Sequence, residues 1–213
     1  MIQFISDRWT DIAYRSFQHV SLVVQSVILA TIIAILLALL VISHPRLKPV
    51  ANYISAVGLT LPSLALLGLA LPVLGIGTRP AVFVVTFYAT LPILRNAVVG
   101  LDGVNPALVE SARGMGMSSA RTFLRVRLPL AWPVILAGLR VSTQMSMGVA
   151  AIAAYALGPG LGAYIFTGLT QIGGANALNY ALVATIGIVI LALLLDMVLI
   201  VIGRLTTSKG IRA

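Results

Sequence analysis

Charged side chains are rare in this sequence of 213 residues, and three of them lie inside apolar stretches: Arg95, Arg140 and Asp196. An ionised group at membrane depth normally needs a partner of opposite charge, so we expect Asp196 to pair with Arg95 or with Arg140. Gln144 follows Arg140 by four residues and therefore shares its helical face. For Arg95 the alternative is that its long side chain reaches the headgroup layer. For Arg140 a structural ion pair and a role in a pore both stay open.

The residue types that enzymes use for covalent or metal chemistry are nearly missing from the chain. There is no cysteine, and the two histidines, His19 and His44, fall near the ends of one apolar stretch. Neither G-x-S-x-G nor H-E-x-x-H occurs, and the phosphate-cradling sequence G-x-x-x-x-G-K-[ST] is absent as well. We therefore assign no catalytic residue, no metal ligand and no cofactor to this chain, and an intramembrane enzyme is the weakest alternative.

A second polar region runs from Asn105 to Pro129 and predicts two short helices. Asn105 is a good N-terminal cap, and Pro106 suits the first helical position. Gly114 and Gly116 are expected to end the first helix, and Ser118 or Ser119 to cap the second. The expected apolar stripe of the first helix is Leu108, Val109, Ala112 and Met115. Such an amphipathic helix suits docking into a groove of another protein.

Arg95, Arg140 and Asp196 are predicted to lie on membrane-spanning helices. A chain built from such helices has an all-α fold. The chain is 60% hydrophobic and 9% charged with a mean hydropathy of +1.08, which excludes an ordinary soluble domain. A span needs about 20 mostly apolar residues. Five stretches meet that condition: 19–42, 52–76, 80–100, 130–157 and 179–203. Residues 130–157 open with Pro129 and Pro133 in the first turn, where proline is tolerated.

Three further segments complete the expected organisation of a single transmembrane domain over 1–213. Residues 1–18 predict a short amphipathic helix on the membrane surface, the alternative being a polar tail. Residues 19–203 form the bundle, with the polar loop at 101–129 and a cytoplasmic tail at 204–213. The stretch 158–178 is uncharged and rich in glycine and aromatic residues, which indicates a re-entrant or interfacial helix.

Several uncharged residues inside the spans are candidates for a translocation pathway or for the bundle interior. Pro62-Ser63 and Leu91-Pro92 lie in mid-span, where proline frees backbone carbonyls; pore-lining hinges and ordinary tolerated prolines are both open interpretations. Met147 is either a packing residue or part of a soft apolar constriction. The full candidate set is Pro62, Ser63, Pro92, Arg95, Asn96, Arg140, Gln144, Met147 and Asp196.

The net charge of +9 could indicate a nucleic-acid partner, but its distribution favours membrane topology instead. With the 43–51 loop inside, nine cations are cytoplasmic: Arg46, Lys48, Arg113, Arg121, Arg125, Arg127, Arg204, Lys209 and Arg212. Three are outside, Arg8, Arg15 and Arg79, and two lie within spans. This bias predicts an external N-terminus, a cytoplasmic C-terminus, a lipid bilayer as surroundings and no nucleic acid.

The polar loop resembles the EAA loop of ABC-importer permeases. The matching residues are Glu110-Ser111-Ala112, Gly116 after three residues, Val126 after nine more, and Leu128-Pro129. Ser111 and Val126 are mild departures from the usual Ala and Ile. Segments 60–68, 88–96, 112–117, 128–130, 137–140 and 158–162 resemble the osmoprotectant branch of that family, whose solutes include glycine betaine, choline and carnitine. Permeases for methionine and similar small solutes share much of the pattern, so they stay an alternative.

The resemblance implies the type I ABC importer fold and a bacterial plasma-membrane protein without enzyme activity. Two permease subunits, identical or paralogous, would form the pore, and an extracytoplasmic binding protein would deliver the solute. Two partner subunits would bind ATP and Mg²⁺ and receive the helix at 106–117 as the coupling helix. The implied coupling residues are Glu110, Ser111, Ala112, Arg113, Gly114, Gly116, Leu128 and Pro129. A standalone secondary transporter would need acidic coupling-ion sites, and Asp196 is the one acid deep in a span; a scaffold subunit is a further alternative.

Overall fold

The computed structural model describes residues 1–207, and every regular element within them is helical. Four helices are long and apolar enough to span a membrane, and one sharply bent pair would make a fifth span. The predicted cations Lys209 and Arg212 lie outside the described residues. The helices are α1 Ile2–Asp7, α2 Trp9–Ser43, α3 Lys48–Gly58, α4 Ser63–Leu74, α5 Thr78–Asp102, α6 Pro106–Gly114, α7 Ser119–Thr122, α8 Leu128–Ala153, α9 Gly162–Thr170 and α10 Ala177–Thr206.

The core lies where α5 packs between α2 and α8, and small residues bring these helices close together. Ala30, Ala34 and Ala38 repeat every four residues on one face of α2, and all three are fully buried. Small side chains let membrane helices approach closely enough for extensive van der Waals contact. The outward faces of α2 and α10 carry exposed leucine, isoleucine and valine side chains, as expected of surfaces that face lipid.

The prediction of a single short surface helix over residues 1–18 is wrong beyond residue 7. Only Ile2–Asp7 forms a separate helix, and the spanning helix α2 already begins at Trp9. No glycine or proline interrupts the sequence from 9 to 43. Arg15 and Asp11 form an ion pair of 2.9 Å one turn apart, and the Tyr164 hydroxyl donates to Asp11. The first turns of α2 are therefore held by α9, and do not lie free on a membrane surface.

The predicted second span at 52–76 is wrong as a continuous helix. Helices α3 and α4 meet at 95°. Pro62 has extended backbone angles at the start of α4, and proline there cannot donate the hydrogen bond that would continue α3. The hydroxyl of Tyr88 on α5 donates to the carbonyl of Leu61, which gives a partner to a carbonyl of the non-helical link.

The predicted fourth span begins earlier than expected. A helical path runs from Ser119 to Ala156, so Pro129 and Pro133 lie inside it rather than opening it. Residues 123–127 form a π-helical turn directly before α8. The wider π turn leaves room for the ring of Pro129, which would otherwise clash with the carbonyl four residues earlier.

The predicted short helix between the last two spans is present as α9. It is nine residues long, too short to span a bilayer, and its buried face is Gly162, Tyr164 and Gly168. A β-carbon at Gly162 would lie 2.2 Å from the carbonyl oxygen of Ala151 on α8. Glycine is therefore required where α9 crosses α8.

Candidate functional site

Helix α6 is shaped by hydrogen bonds between residues close in sequence. The Asn105 Oδ1 atom accepts from the amide of Ala107 at 2.9 Å, which caps the N-terminus. At the other end the amide of Met117 donates to the Ala112 carbonyl at 3.1 Å, and that of Gly116 donates to Arg113 at 2.9 Å. These two bonds form a Schellman motif, and Gly116 adopts the required left-handed conformation with φ +81°.

The apolar stripe predicted for α6 is divided between two faces. Ala112 is buried and Val109 is half-buried against the bundle, as expected. Leu108 and Met115 are instead 48% and 71% exposed. The predicted stripe is wrong for these two residues because α6 contacts the bundle along a narrow line only. They belong to the free face of α6, which also carries Glu110, Ser111, Arg113 and Gly114.

The segment between α6 and α8 anchors the loop to the bundle. Ser118 caps α7 by accepting from the amide of Arg121 at 3.4 Å. The Arg127 Nη2 atom donates to the Leu101 carbonyl near the end of α5 at 3.2 Å. Leu128 is half-buried at the start of α8, whereas Pro129 is exposed. The loop is therefore tied to both α5 and α8.

An ion pair at the same end of the bundle was missed by sequence reasoning. Lys48 Nζ lies 2.5 Å from Asp102 Oδ1, and this pair joins the start of α3 to the end of α5. The sequence predicts the 43–51 loop, with Lys48, and the 101–129 loop, with Asp102, on the same side of the membrane. Opposite charges in two such loops are the sequence signal that could have predicted the pair. The contact shows that the 43–51 and 101–129 loops lie at the same end of the bundle.

Arg140 and Asp196 form a bidentate ion pair between α8 and α10. Arg140 Nε lies 2.7 Å from Asp196 Oδ1, and Nη2 lies 2.7 Å from Oδ2. Of the two predicted pairings, the one with Arg140 is confirmed. Arg95 is exposed on α5, and contact of its side chain with the headgroup layer stays a prediction. Gln144 is exposed one turn beyond Arg140.

The remaining pathway candidates fall into exposed and buried groups. Pro62 is exposed and Ser63 half-buried at the break between α3 and α4. Pro92 is buried within an uninterrupted α5, and the Asn96 side chain donates to its carbonyl at 2.9 Å. Met147 is 1% exposed in the core, so in this conformation it packs between helices and does not line an open passage.

His19 is a buried polar residue that the sequence did not single out. Its Nε2 atom donates to the Met147 carbonyl at 3.1 Å, since a carbonyl can only accept, and its side chain is fully buried. A β-carbon at Gly160 would lie 2.7 Å from His19 Nδ1. Among the described residues no cluster of histidine, cysteine, aspartate or glutamate could hold a metal ion.

Comparison with known protein families shows which family this chain belongs to. Residues 18–207 match the family described as "Binding-protein-dependent transport system inner membrane component". The chain belongs to this family. It is thus a multi-pass inner-membrane permease component of a transport system that uses a binding protein.

The relatives of this permease include proteins named for particular solutes. It is 38% identical to the choline transport system permease protein OpuBB of Bacillus subtilis (strain 168), over 100% of this chain and 96% of that protein. It is 37% identical to the glycine betaine/carnitine/choline transport system permease protein OpuCB of the same strain, with the same coverage. It is 36% identical to the osmoprotectant import permease protein OsmW of Salmonella typhimurium, over 99% of both chains.

A solved structure shows the same fold. A chain of the MetNI methionine ABC transporter in an inward-facing conformation superposes with a TM-score of 0.79 at 21% identity, covering 92% of this permease and 96% of that chain. The predicted all-α fold of a type I ABC importer permease is thereby confirmed.

Proposed function

We propose that this chain is the permease subunit of an ATP-driven importer for osmoprotectants, the class of glycine betaine, choline and carnitine. The observation that carries the proposal is similarity over the whole chain, at 36–38% identity, to permeases named for choline, for glycine betaine/carnitine/choline and for osmoprotectants. The methionine alternative gains no support from the MetNI structure, because a likeness at 21% identity bears on the fold alone.

In this proposal α6 is the coupling helix and docks into a groove on a separate ATPase subunit. Its free face, with Leu108, Glu110 and Met115, supplies the docking surface. Caps at both ends keep α6 helical, and the bond from Arg127 to Leu101 ties the loop to α5. Movement of the ATPase would thus be passed to α5 and α8, which form much of the bundle core. Leu128 and Pro129 belong to the link that transmits this movement.

The proposed assembly has two permease subunits, identical or paralogous, and two ATPase subunits that bind ATP and Mg²⁺. An extracytoplasmic binding protein delivers the solute. The N-terminus is outside and the C-terminus cytoplasmic. Support for this orientation comes from the ion pair of Lys48 and Asp102, because it brings the two loops with the largest numbers of cations to one end of the bundle.

Uptake by proteoliposomes that contain the permease, its ATPase and its binding protein tests the proposal. We expect ATP-dependent accumulation of radiolabelled choline or glycine betaine and none of methionine. Accumulation of methionine alone would replace the proposed solute class with the alternative. Uptake that persists without the ATPase would instead indicate a secondary transporter.

A further inference from the structure

A cavity of about 370 Å³ lies between the end of α2 and the helices α6 and α7, and the proposed function assigns no ligand to it. One wall is polar and carries Arg113, Ser119, Thr122 and Arg127. No aspartate or glutamate is among the lining residues. The cavity lining therefore combines two guanidinium groups with three hydroxyls, and the third, that of Ser43, already donates to the Leu39 carbonyl.

Two polar atoms of this wall have no hydrogen-bond partner among the described residues. They are Thr122 Oγ1 and Arg127 Nε. Thr122 is 2% exposed, so bulk water does not replace the missing partner. A buried polar group without a partner destabilises the fold, and more so when the group is charged. Both atoms are thus available to a ligand that accepts hydrogen bonds.

The opposite wall is apolar and belongs to the last turns of a spanning helix. Leu39 and Ile42 of α2 contribute to it, and α2 ends at Ser43. The end of a spanning helix lies at the level of the lipid headgroups. The cavity thus offers a cationic, hydrogen-bonding side and an apolar side at the depth where a lipid changes from headgroup to acyl chain.

We propose that this cavity binds a phosphate group, supplied by the headgroup of an anionic phospholipid. Phosphate oxygens accept hydrogen bonds from guanidinium and hydroxyl groups and neutralise the two arginines. Thr122 Oγ1 and Arg127 Nε donate to the phosphate, and Leu39 and Ile42 contact the first methylenes of the acyl chain. A bound headgroup contacts both α2 and the loop that carries α6.

Binding to the purified full chain in non-ionic detergent tests this site, with dioctanoyl phosphatidylglycerol as the probe. Dioctanoylglycerol is the matched control because it has the same acyl chains and no phosphate. Calorimetric titration is expected to show one site per chain for phosphatidylglycerol and binding at least tenfold weaker for dioctanoylglycerol. Equal binding of the two would overturn the proposal, since the cavity would then recognise acyl chains only.

Variants locate the binding in this cavity. Thr122→Val keeps the size of the side chain and removes the unpartnered hydroxyl, and we expect it to weaken phosphatidylglycerol binding about tenfold without lowering the thermal stability of the free chain. Arg127→Gln is expected to weaken binding further. Arg121→Gln is the control, because Arg121 is an exposed arginine of the same loop that does not line the cavity. Unchanged binding in Thr122→Val, or an equal loss in Arg121→Gln, would overturn the assignment.

A second titration distinguishes the two sources of phosphate. Inorganic phosphate is expected to bind at least tenfold more weakly than phosphatidylglycerol and to compete with it. Tight binding of inorganic phosphate together with no binding of phosphatidylglycerol would support the phosphate site and assign it to a soluble compound. Binding of neither probe would overturn the site altogether.

Discussion

The α6 loop and the region around Arg140 are both polar, but their hydrogen bonds connect very different lengths of chain. In the loop, Asn105 bonds to Ala107 and Ser118 to Arg121, two and three residues apart. In the bundle, Arg140 bonds to Asp196 across 56 residues, and the Ser142 hydroxyl donates to the Ala89 carbonyl across 53. The bonds that cap α6 are local, whereas the bundle holds its shape only while several helices remain packed.

This difference fits the mechanical roles proposed for the two regions. A coupling helix has to keep its shape while it is pushed, and short-range caps allow this. A bundle that alternates between two states has to exchange long-range contacts, and those contacts have to be individually modest. Four substitutions test the distinction, each expected to affect one region and spare the other.

Gly162→Ala is expected to have the largest effect on the bundle. The new β-carbon would lie 2.2 Å from the carbonyl oxygen and 2.7 Å from the Cα of Ala151, both backbone atoms that cannot rotate away. We expect a loss of about 3 kcal/mol in the free energy of unfolding, measured by SDS titration in mixed micelles. Gly148→Ala is the control, because its β-carbon meets nothing within 4 Å. Equal stability of the two variants would show that α9 does not depend on this crossing.

Asp196→Leu removes one partner of the pair between α8 and α10 and leaves Arg140 uncompensated. Because the Arg140 side chain is 39% exposed, we expect a loss of about 2 kcal/mol rather than the 3–5 kcal/mol of a fully buried pair. The double variant Arg140→Met/Asp196→Leu is expected to recover most of that loss in the same unfolding assay. Failure of the double variant to recover stability would mean that the two side chains act independently. Arg95→Met is expected to change little.

Gly116→Asp tests whether the shape of α6 matters for transport while the bundle stays intact. At φ +81° most residues with a β-carbon cost about 1–2 kcal/mol, and the negative charge of aspartate is also unfavourable beside the free carbonyls at the C-terminal end of α6, so the C-terminal motif is expected to unravel. We expect solute uptake to fall tenfold or more while the ATPase of the assembled transporter continues to hydrolyse ATP. Gly148→Ala, in α8 and with open space around its β-carbon, is the control because it lies outside the coupling loop. Normal uptake by Gly116→Asp would contradict the coupling assignment.

Asn105→Ala is expected to have the smallest effect. It removes the cap that accepts from Ala107, which costs about 1 kcal/mol and affects α6 only. Hydrogen exchange of the α6 amides is expected to speed up about fivefold, with no change in the unfolding midpoint of the bundle. Asn105→Ser keeps a capping oxygen and serves as the control. A shift of the bundle midpoint in Asn105→Ala would show that the two regions are not separable.

The same distinction explains what could be predicted from the sequence. The caps at Asn105 and Ser118 and the turn at Gly116 were predictable because each depends on residues within one or two turns. Four spans were predictable from apolar length. The sequence predicted that Asp196 pairs with Arg95 or with Arg140, but it did not determine which of the two. Depth in the membrane alone does not distinguish between residues on neighbouring helices.

Features that depend on tertiary packing were not predictable. The break between α3 and α4 is stabilised by Tyr88 from α5, and nothing near Pro62 in the sequence reveals that contact. His19 is buried because Gly160 lets a distant loop approach its ring. The exposure of Leu108 and Met115 depends on how narrowly α6 touches the bundle, which periodicity does not determine.

The pair of Arg140 and Asp196 also sets an order for biosynthesis. The two residues are 56 positions apart, so at 5–20 residues per second a ribosome makes Asp196 roughly 3–11 s after Arg140. During that interval the charge of Arg140 has no carboxylate partner from α10. A chain that terminates before residue 196 therefore carries the charge of Arg140 without the carboxylate that compensates it in the complete bundle.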